Sequence, residues 1–513
     1  MSKAIIFNKG QGGLGRPLPG KDFVSALLFY CSTLPSGFDS SNRTKIVYSL
    51  EEAVALGITG LSSDETKAVA KIAIGGTPAA GNTMAITYAG IMGTVTVLGT
   101  YTLTSADATT TTTAAAALAA AINVGTTTHG FSATNTTSNL LITTKAGEGV
   151  FPNSGTPYVN VVTGGGMTGT TTQPTGSGST VLGVASEFDL MHYHISEFFR
   201  AQPKGKLYVS IQATADATTF SKVTEIQNFA EGEIRQIGVY QKTSAFAAAQ
   251  CTTLNAIILA NDTANKPLSA IYQGDFSLVT DLTTLSSLHA LTANKVSATF
   301  GQDGAGAGFK LYNAVGKSIG CLGLTLGAVA FAKVNENIGW IGKFDMNNGV
   351  EMNALAFANG NKLKSLNDAQ IAAVDALGYI FLEKEIDSAG SFFNDSYTCI
   401  TLNSDFAYIE DNRTIDKSIR NMRLNLLPAL SSPITFNADG TISEDSVGYF
   451  ETLCQSALDK MTRDGELSAS KASIDPSQKV LSTGQLIIVV QEIPTGVARN
   501  IIINVGYTSA ITN

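Results

Sequence analysis

Two runs of β-branched residues close this sequence. One reads Leu486-Ile487-Ile488-Val489-Val490-Gln-Glu-Ile, the other Arg499-Asn-Ile501-Ile502-Ile503-Asn-Val505-Gly-Tyr507, with Pro494-Thr-Gly496 between them. Such runs on either side of a Pro/Gly turn predict strand–turn–strand. An apolar strand beside a chain end is a liability unless something pairs with it. The beginning carries a counterpart, Ala4-Ile5-Ile6-Phe7, followed by Gly-rich chain. Sticky strands at both ends predict subunits that exchange strands with neighbouring copies, and so a polymer subunit rather than an enzyme.

At 513 residues the chain is long enough for several domains, because single cores stop growing near ~250–300 residues. Charged residues make up 14%, well below the usual ~25%, which suits a surface partly covered in an assembly. The net charge of -8 argues against a general nucleic-acid binder, which would show a basic domain. Cys31, Cys251, Cys321, Cys399 and Cys454 are scattered without a Cys-x-x-Cys pair, and predict reduced, buried thiols made in a reducing compartment. The apolar run at Ala4–Phe7 is shorter than the roughly 7–15 residues of a signal peptide core. Residues 319–334 are interrupted by Gly320, Gly323, Gly327 and Lys333 and fall short of the ~20 that span a bilayer. No membrane insertion is expected.

Residues 8–22 are linker-like. Beyond them 23–30 predicts a strand, and Ser49 with Glu52 predicts the capping box of a helix. The composition changes at about Gly75: between Thr77 and Ser186 the charged residues are Asp107, Lys145 and Glu148 alone, amid Thr, Gly, Ala and Ser. Within this stretch 94–103 alternates like a strand, Asp107 caps a helix over 114–122, 131–144 reads as a hairpin, and a Gly/Thr-rich segment over 163–180 leads out. From Glu187 strands and helices alternate. Strands are predicted over 207–212, 234–241, 268–273, 296–300, 338–344 and 379–385, and helices over 218–230, 245–259, 283–291 and 366–377. Such alternation implies crossover units and a mostly parallel sheet. After residue 404 two amphipathic helices are predicted. The first spans 411–427, with Ile415, Ile419, Met422 and Leu426 on one face and Arg413, Lys417 and Arg420 opposite, Arg423 at the border. The second spans 443–461 and has Lys460 and Arg463 at its end, where cations suit the dipole.

The fold class expected is therefore multidomain α/β and α+β. A mostly parallel α/β domain covers 23–76 and 184–403, a small β-rich domain is inserted over 77–183, and an α+β assembly domain covers 404–513. An arm over 1–22 precedes them.

Several motifs suggest chemistry and are outweighed. Gly316-Lys-Ser318-Ile-Gly320 has the spacing of a nucleophile elbow, yet His129, His192, His194 and His289 all precede Ser318, whereas that triad places His after Ser. A phosphate-binding loop would need Gly where Leu311 stands, so the Gly304–Gly308 tract reads as a plain turn, and a nucleotide-binding α/β enzyme is the least favoured alternative. His192, His194 and Glu197 fall on a helical segment, where i and i+2 diverge, and so make a poor metal set. The acidic pairs Glu51-Glu52, Glu231/Glu233 and Glu444-Asp445 sit at helix starts or turns and read as caps and solvated faces. No catalytic residue, cofactor or metal is assigned. The basic face of Arg413, Lys417, Arg420 and Arg423 reads as a solvated face or as a docking surface for an acidic partner.

Three motifs carry a family resemblance: Gly12-Gly-Leu-Gly-Arg16-Pro-Leu-Pro-Gly20, Arg413-Thr-Ile-Asp416-Lys-Ser-Ile-Arg420 leading to Leu426-Leu-Pro428, and Gly496-Val-Ala-Arg499-Asn-Ile-Ile-Ile-Asn-Val-Gly506-Tyr. They resemble tail sheath proteins of contractile-tailed bacteriophages and related contractile injection systems. The likeness spans the chain except 77–183, a departure from a minimal sheath. It implies a virion-tail or injection-particle subunit, assembled in the bacterial cytoplasm as hexameric rings stacked helically around an inner tube, without a nucleotide. Implied partners are further copies, the tube protein, baseplate and tail terminator proteins. It also implies that Ala4, Ile5, Ile6, Phe7 and Ile501, Ile502, Ile503, Val505, Tyr507 form inter-subunit arm strands, and that Leu486, Ile487, Ile488, Val489 and Val490 belong to the receiving sheet. The inserted domain would lie on the outer surface. Arg413, Lys417, Arg420, Lys460 and Arg463 become basic residues facing the tube or an interface. A non-contractile phage or surface lattice protein is the alternative.

Overall fold

The computed structural model describes residues 20–91, 93, 95–153 and 159–507. Its centre is a six-stranded sheet in the order Val296–Ala298, Ser269–Asp275, Gln236–Ala245, Val24–Tyr30, Lys206–Gln212, Thr44–Val47. The first five strands run parallel, and Thr44–Val47 closes one edge antiparallel to Lys206–Gln212. Val24–Tyr30 is buried along its whole length, the signature of a strand covered on both faces, so it reads as a continuous apolar run rather than an alternating one. Helices Glu187–Ala201 and Leu322–Phe331 cross so closely that a Cβ at Gly323 would lie 2.0 Å from the His194 carbonyl oxygen. Gly323 and Gly327 thus let two helix backbones approach, and helix Leu322–Phe331 is buried in the α/β core.

Three predicted elements of this region fail. Residues 338–344 form turns, because the Asn337 side chain accepts from the Gly339 N–H at 2.6 Å and Trp340 O accepts from both Lys343 and Phe344. Residues 283–291 hold two short 3₁₀ turns, Leu282–Thr284 and Leu288–Ala290. Of 379–385 only Leu382–Glu383 is a strand, paired with Phe392–Phe393.

A second, separate core lies in the charge-poor stretch and unites Ile72, Ile86, Leu118, Phe131, Leu140 and Ile142. One sheet runs Ser132–Thr136, Asn139–Thr143, Val69–Gly76, Met167–Thr172, and another Val95–Thr102, Thr83–Ala89, Val159–Gly164, all antiparallel. Strand Val69–Gly76, before the composition change, packs in this core, and the segment expected to lead out carries strand Met167–Thr172. Helix Thr111–Val124 is capped by Thr110, in a capping box with Thr113. Asp107 instead accepts from the Tyr101 and Thr104 hydroxyls at 2.6 and 2.5 Å.

In the C-terminal region helix Ile409–Leu426 packs on helix Glu444–Arg463, whose Ser443 cap holds the Ser446 N–H. An antiparallel pair follows, Leu467–Ser473 with Val489–Pro494. This corrects the expected hairpin: residues 499–507 form no strand, and 486–488 precede the strand rather than belong to it. The true partner, Leu-Ser-Ala-Ser-Lys-Ala-Ser, has almost no apolar alternation and gave no sequence signal.

Candidate assembly interface

The two-stranded sheet has no further strand on either edge among the described residues. The pair rests on helix Glu444–Arg463 through Leu458, Met461, Leu467 and Val490, and its edges present rows of backbone donors and acceptors to any added strand. Beside Val489–Pro494 runs a groove of about 670 Å³, lined by Phe406, Ile415, Ile419, Met422, Leu467 and Val490 among others. The residues expected in a receiving sheet divide. Leu486 and Ile488 pack toward Ile442, Phe450 and Ile474. Ile487 is exposed but exchanges two hydrogen bonds with the Gln478 side chain, each 2.8 Å, while Val489 and Val490 open the strand.

The segment that follows is apolar and bare. Ile501, Ile502, Ile503 and Val505 are 79, 85, 76 and 90% exposed, Tyr507 fully so. Ala4, Ile5, Ile6 and Phe7 lie outside the described residues.

Helix Ile409–Leu426 corrects the reading of its basic face. Arg413 is buried, whereas Ile419 on the opposite face is 47% exposed. Amphipathicity suggested apolar inward and basic outward; instead Met422 and Leu426 pack in the C-terminal clusters while the basic face is also covered, because the α/β body supplies its counter-charges and carbonyls. Arg413 donates to Ala332 O and Lys333 O at 3.3 and 3.1 Å and to Asp22 O at 3.4 Å. Lys417 bridges Asp22 and Glu466 at 2.7 and 2.5 Å, and Arg420 reaches Asp22 at 3.4 Å. Burial would raise the Asp22 carboxyl, but Lys417, then Arg420 and Arg413, hold it below the usual carboxylate range. Burial pushes Arg413 down to about 10. Between these pins Asp416 pairs with the buried Lys295, which also meets Asp262 at 3.3 Å. Lys460 and Arg463, in contrast, are exposed at the end of their helix.

At the other end of the same helix stands Arg499. Its guanidinium meets Asp395 at 2.9 Å and Glu410 at 2.5 Å, and lies 3.3 Å from the centre of the Tyr408 ring. Glu410 also accepts from Ser396 Oγ at 2.5 Å. Burial pushes its carboxyl up to about 7 despite Arg499.

The places where catalysis was weighed are filled by structure. Ser318 is buried; its Oγ donates to Ala358 O at 2.5 Å and accepts from the Phe276 N–H at 2.7 Å. Helix Ala307–Val315, which follows the Gly304–Gly308 turn, has its N-terminus occupied by carboxylates: Glu351 accepts from Ala307 N–H at 3.1 Å and Asp303 from Phe309 N–H at 3.3 Å. Those are the groups a phosphate would need. His194 is buried in the core, pushed down to about 3 by burial, with its ring against Phe29 and Tyr240, while Glu197 pairs with Arg200 at 2.5 Å. Among the described residues no group of three or more His, Cys, Asp or Glu is placed to hold a metal, and no helix is long and apolar enough to cross a membrane. All five cysteines are buried and free.

Comparison with known proteins gives three findings. The model of the DUF2586 C-terminal domain matches residues 405–512. No curated protein matches. Among solved structures the chain is similar to the helical sheath of the anti-feeding prophage in its contracted state (TM-score 0.45, 15% identity, 62% of this chain and 81% of that one). It is similar to a chain of the six-fold symmetrised anti-feeding prophage baseplate (TM-score 0.40, 15% identity, 62% and 80%), and to the contracted sheath complex of an extracellular contractile injection system, PVC (TM-score 0.42, 14% identity, 63% and 80%).

Proposed function

We propose that the chain is a structural subunit of a contractile sheath. Copies assemble as hexameric rings stacked helically around an inner tube, bounded by baseplate and terminator proteins, and contraction drives the tube through a target envelope. One observation carries the reading: a bare apolar segment, 501–507, accompanies a two-stranded sheet with open edges in the same chain. In an extended strand alternate residues share a face, so Ile501, Ile503, Val505 and Tyr507 form one apolar edge. Laid beside Val489–Pro494 of another copy, that edge covers Ile415 and Ile419, and backbone hydrogen bonds supply affinity. Residues 4–7 are the second arm strand, and 8–19 its tether. Residues 184–403 with the chain from 23 to the neck at Thr66 form the body, 77–183 together with strand Val69–Gly76 form the insert, and 404–513 form the assembly unit. The subunit assembles in the bacterial cytoplasm and functions in a phage tail or an injection particle, without catalysis.

Electron microscopy of full-length protein and of variants lacking 1–9 or 500–513 tests this. Full-length chains should form helical polymers and both truncations should be monomeric. Polymers with two different helical rises establish a sheath, and a single fixed rise establishes a static lattice. Full-length protein that stays monomeric at high concentration ends the reading.

A further inference from the structure

Helix Ile409–Leu426 grips the roots of both terminal segments, and it does so with opposite charges. The N-terminal root is an acid, Asp22, held among Arg413, Lys417 and Arg420. The C-terminal root is a base, Arg499, held by Glu410 of the helix together with Asp395 and the Tyr408 ring. Ten residues separate Glu410 from Arg420, about 15 Å along a helix.

We infer that this helix is a coupling strut: the two roots do not open independently, because each is held by charges fixed on one rigid element. The physical link is repulsion. Asp22 is the carboxylate shared by Lys417 and Arg420, and Arg235, pushed down to about 10 by burial and then by Arg420, donates only to backbone carbonyls. Without Asp22, buried Arg413 and part-buried Lys417 and Arg420 face Arg235 with fewer counter-charges: Glu466 on Lys417, Asp416 and Asp262 near Arg420, and Glu410 and Glu336 near Arg413. Uncompensated buried charge is costly, and the helix relieves it by shifting away from the α/β body. Such a shift draws Asp416 from Lys295 and carries Glu410 out of register with Arg499. In the other direction, removing Arg499 leaves Glu410 and Asp395 as buried acids without their cation, and the same helix moves at its opposite end. Coupling free energy is reciprocal. It is a property of the single chain and stands apart from whether copies assemble as a sheath.

Trypsin reads both roots, since Lys21 and Arg499 are cleavage sites whose backbones are tied into the fold: Lys21 O accepts from the Val24 N–H at 3.0 Å, and the Arg499 N–H donates to Val497 O at 3.1 Å. Full-length protein, kept below the concentration at which it polymerises, is digested under native conditions, where cleavage follows the equilibrium opening of each site, and the exposed Lys364 serves as reference. Asp22→Asn should speed cleavage after Arg499 by roughly 5-fold relative to Lys364, and Arg499→Ala should speed cleavage after Lys21 by a similar factor. If Asp22→Asn fails to fold, Arg499→Ala decides alone, since its expected result, faster cleavage after Lys21, needs no other variant. The inference is overturned if Asp22→Asn speeds cleavage after Lys21 but not after Arg499, or if cleavage at the far root of either variant rises no more than at Lys364.

Discussion

Glu410 shows how a residue can serve a contact and weaken the fold at once. Its carboxyl sits at about 7, against 4.5 for an ordinary glutamate, because burial outweighs the attraction of Arg499. A carboxyl raised on folding holds a proton that the unfolded chain releases, so its contribution is complete below pH 4.5 and is lost as pH rises through 7. Glu410→Gln, neutral at every pH, should match wild type at pH 5 and exceed it at pH 8 by about 1–3 kcal/mol. Asp303, pushed up to about 6 by burial and then Glu351, and Glu383, pushed up to about 7 by burial and then Glu385, act with the same sign but are common to both proteins. Glu233, held down to about 2, mainly by Lys206 against the pull of burial, loses its contribution only as pH falls below 4.5. Urea melts at the two pH values decide the matter. A variant less stable at pH 8 would mean that the ion pair with Arg499 outweighs desolvation. Arg413 is the opposite case, a buried cation satisfied chiefly by carbonyls. Arg413→Ala should cost on the order of 2–4 kcal/mol, because Ala332 O and Lys333 O lose their donors and Asp22 a neighbouring cation.

At the scale of elements, what the sequence made legible was whatever local periodicity and burial agree on. Val24–Tyr30 and the parallel strands beside it were readable as apolar runs, and Glu444–Arg463 as an amphipathic helix with Ser443 at its start. Helix Ile409–Leu426 was readable as a helix but not in its orientation, since periodicity assigns the charged face to water and cannot register that Asp22, hundreds of residues earlier, waits to pair with it. Strand Leu467–Ser473 was invisible for the converse reason: its place comes from pairing with Val489–Pro494 and not from apolar alternation. The mistaken hairpin between 486–493 and 499–507 followed from that gap, because the strand pattern was right for the first run and its partner was sought on the wrong side. An apolar run that remains bare in the single chain yields a sharp expectation. Ile501→Asp combined with Ile503→Asp alters residues 79 and 76% exposed, so the melting temperature of the monomer should shift by no more than a surface substitution allows, within about 0.5 kcal/mol. Polymer formation should be abolished, since two carboxylates would enter the groove over Ile415 and Ile419 without partners. Sedimentation of wild type and variant at equal concentration measures this, and a variant that still polymerises removes residues 501–507 from the interface.

The whole molecule places two large cores and two small C-terminal clusters on one chain, and the way the large ones join determines what can be removed. The inserted body leaves and re-enters through a narrow neck: Thr66 and Val184 exchange hydrogen bonds of 3.1 and 2.9 Å, and Val69 and Val181 exchange another pair at 2.9 and 3.1 Å. Its buried residues form their own cluster and share none with the core around Val24–Tyr30. Contact beyond the neck includes Val150 N–H donating to Ala314 O at 2.8 Å, and the Glu65 carboxylate accepting from Gly147 and Gly149 at 2.9 and 2.6 Å. Because the two neck strands are antiparallel neighbours, a two-residue turn closes them without moving either end. Joining Thr66 to Val184 by Asn-Gly therefore removes a complete folding unit and leaves the α/β sheet and the C-terminal pair intact. The groups newly exposed, Ala314 O and the Glu65 carboxylate, lie at the surface where water replaces the lost donors. The shortened chain should lose one unfolding transition of the full chain, that of the insert's core, and keep the others within a few degrees. If the insert is an outer appendage of the assembly, the shortened chain also polymerises with unchanged helical rise in electron micrographs. If it folds but no longer polymerises, the charge-poor domain lies between subunits rather than outside them, and its hydroxyl-rich surface is itself an interface.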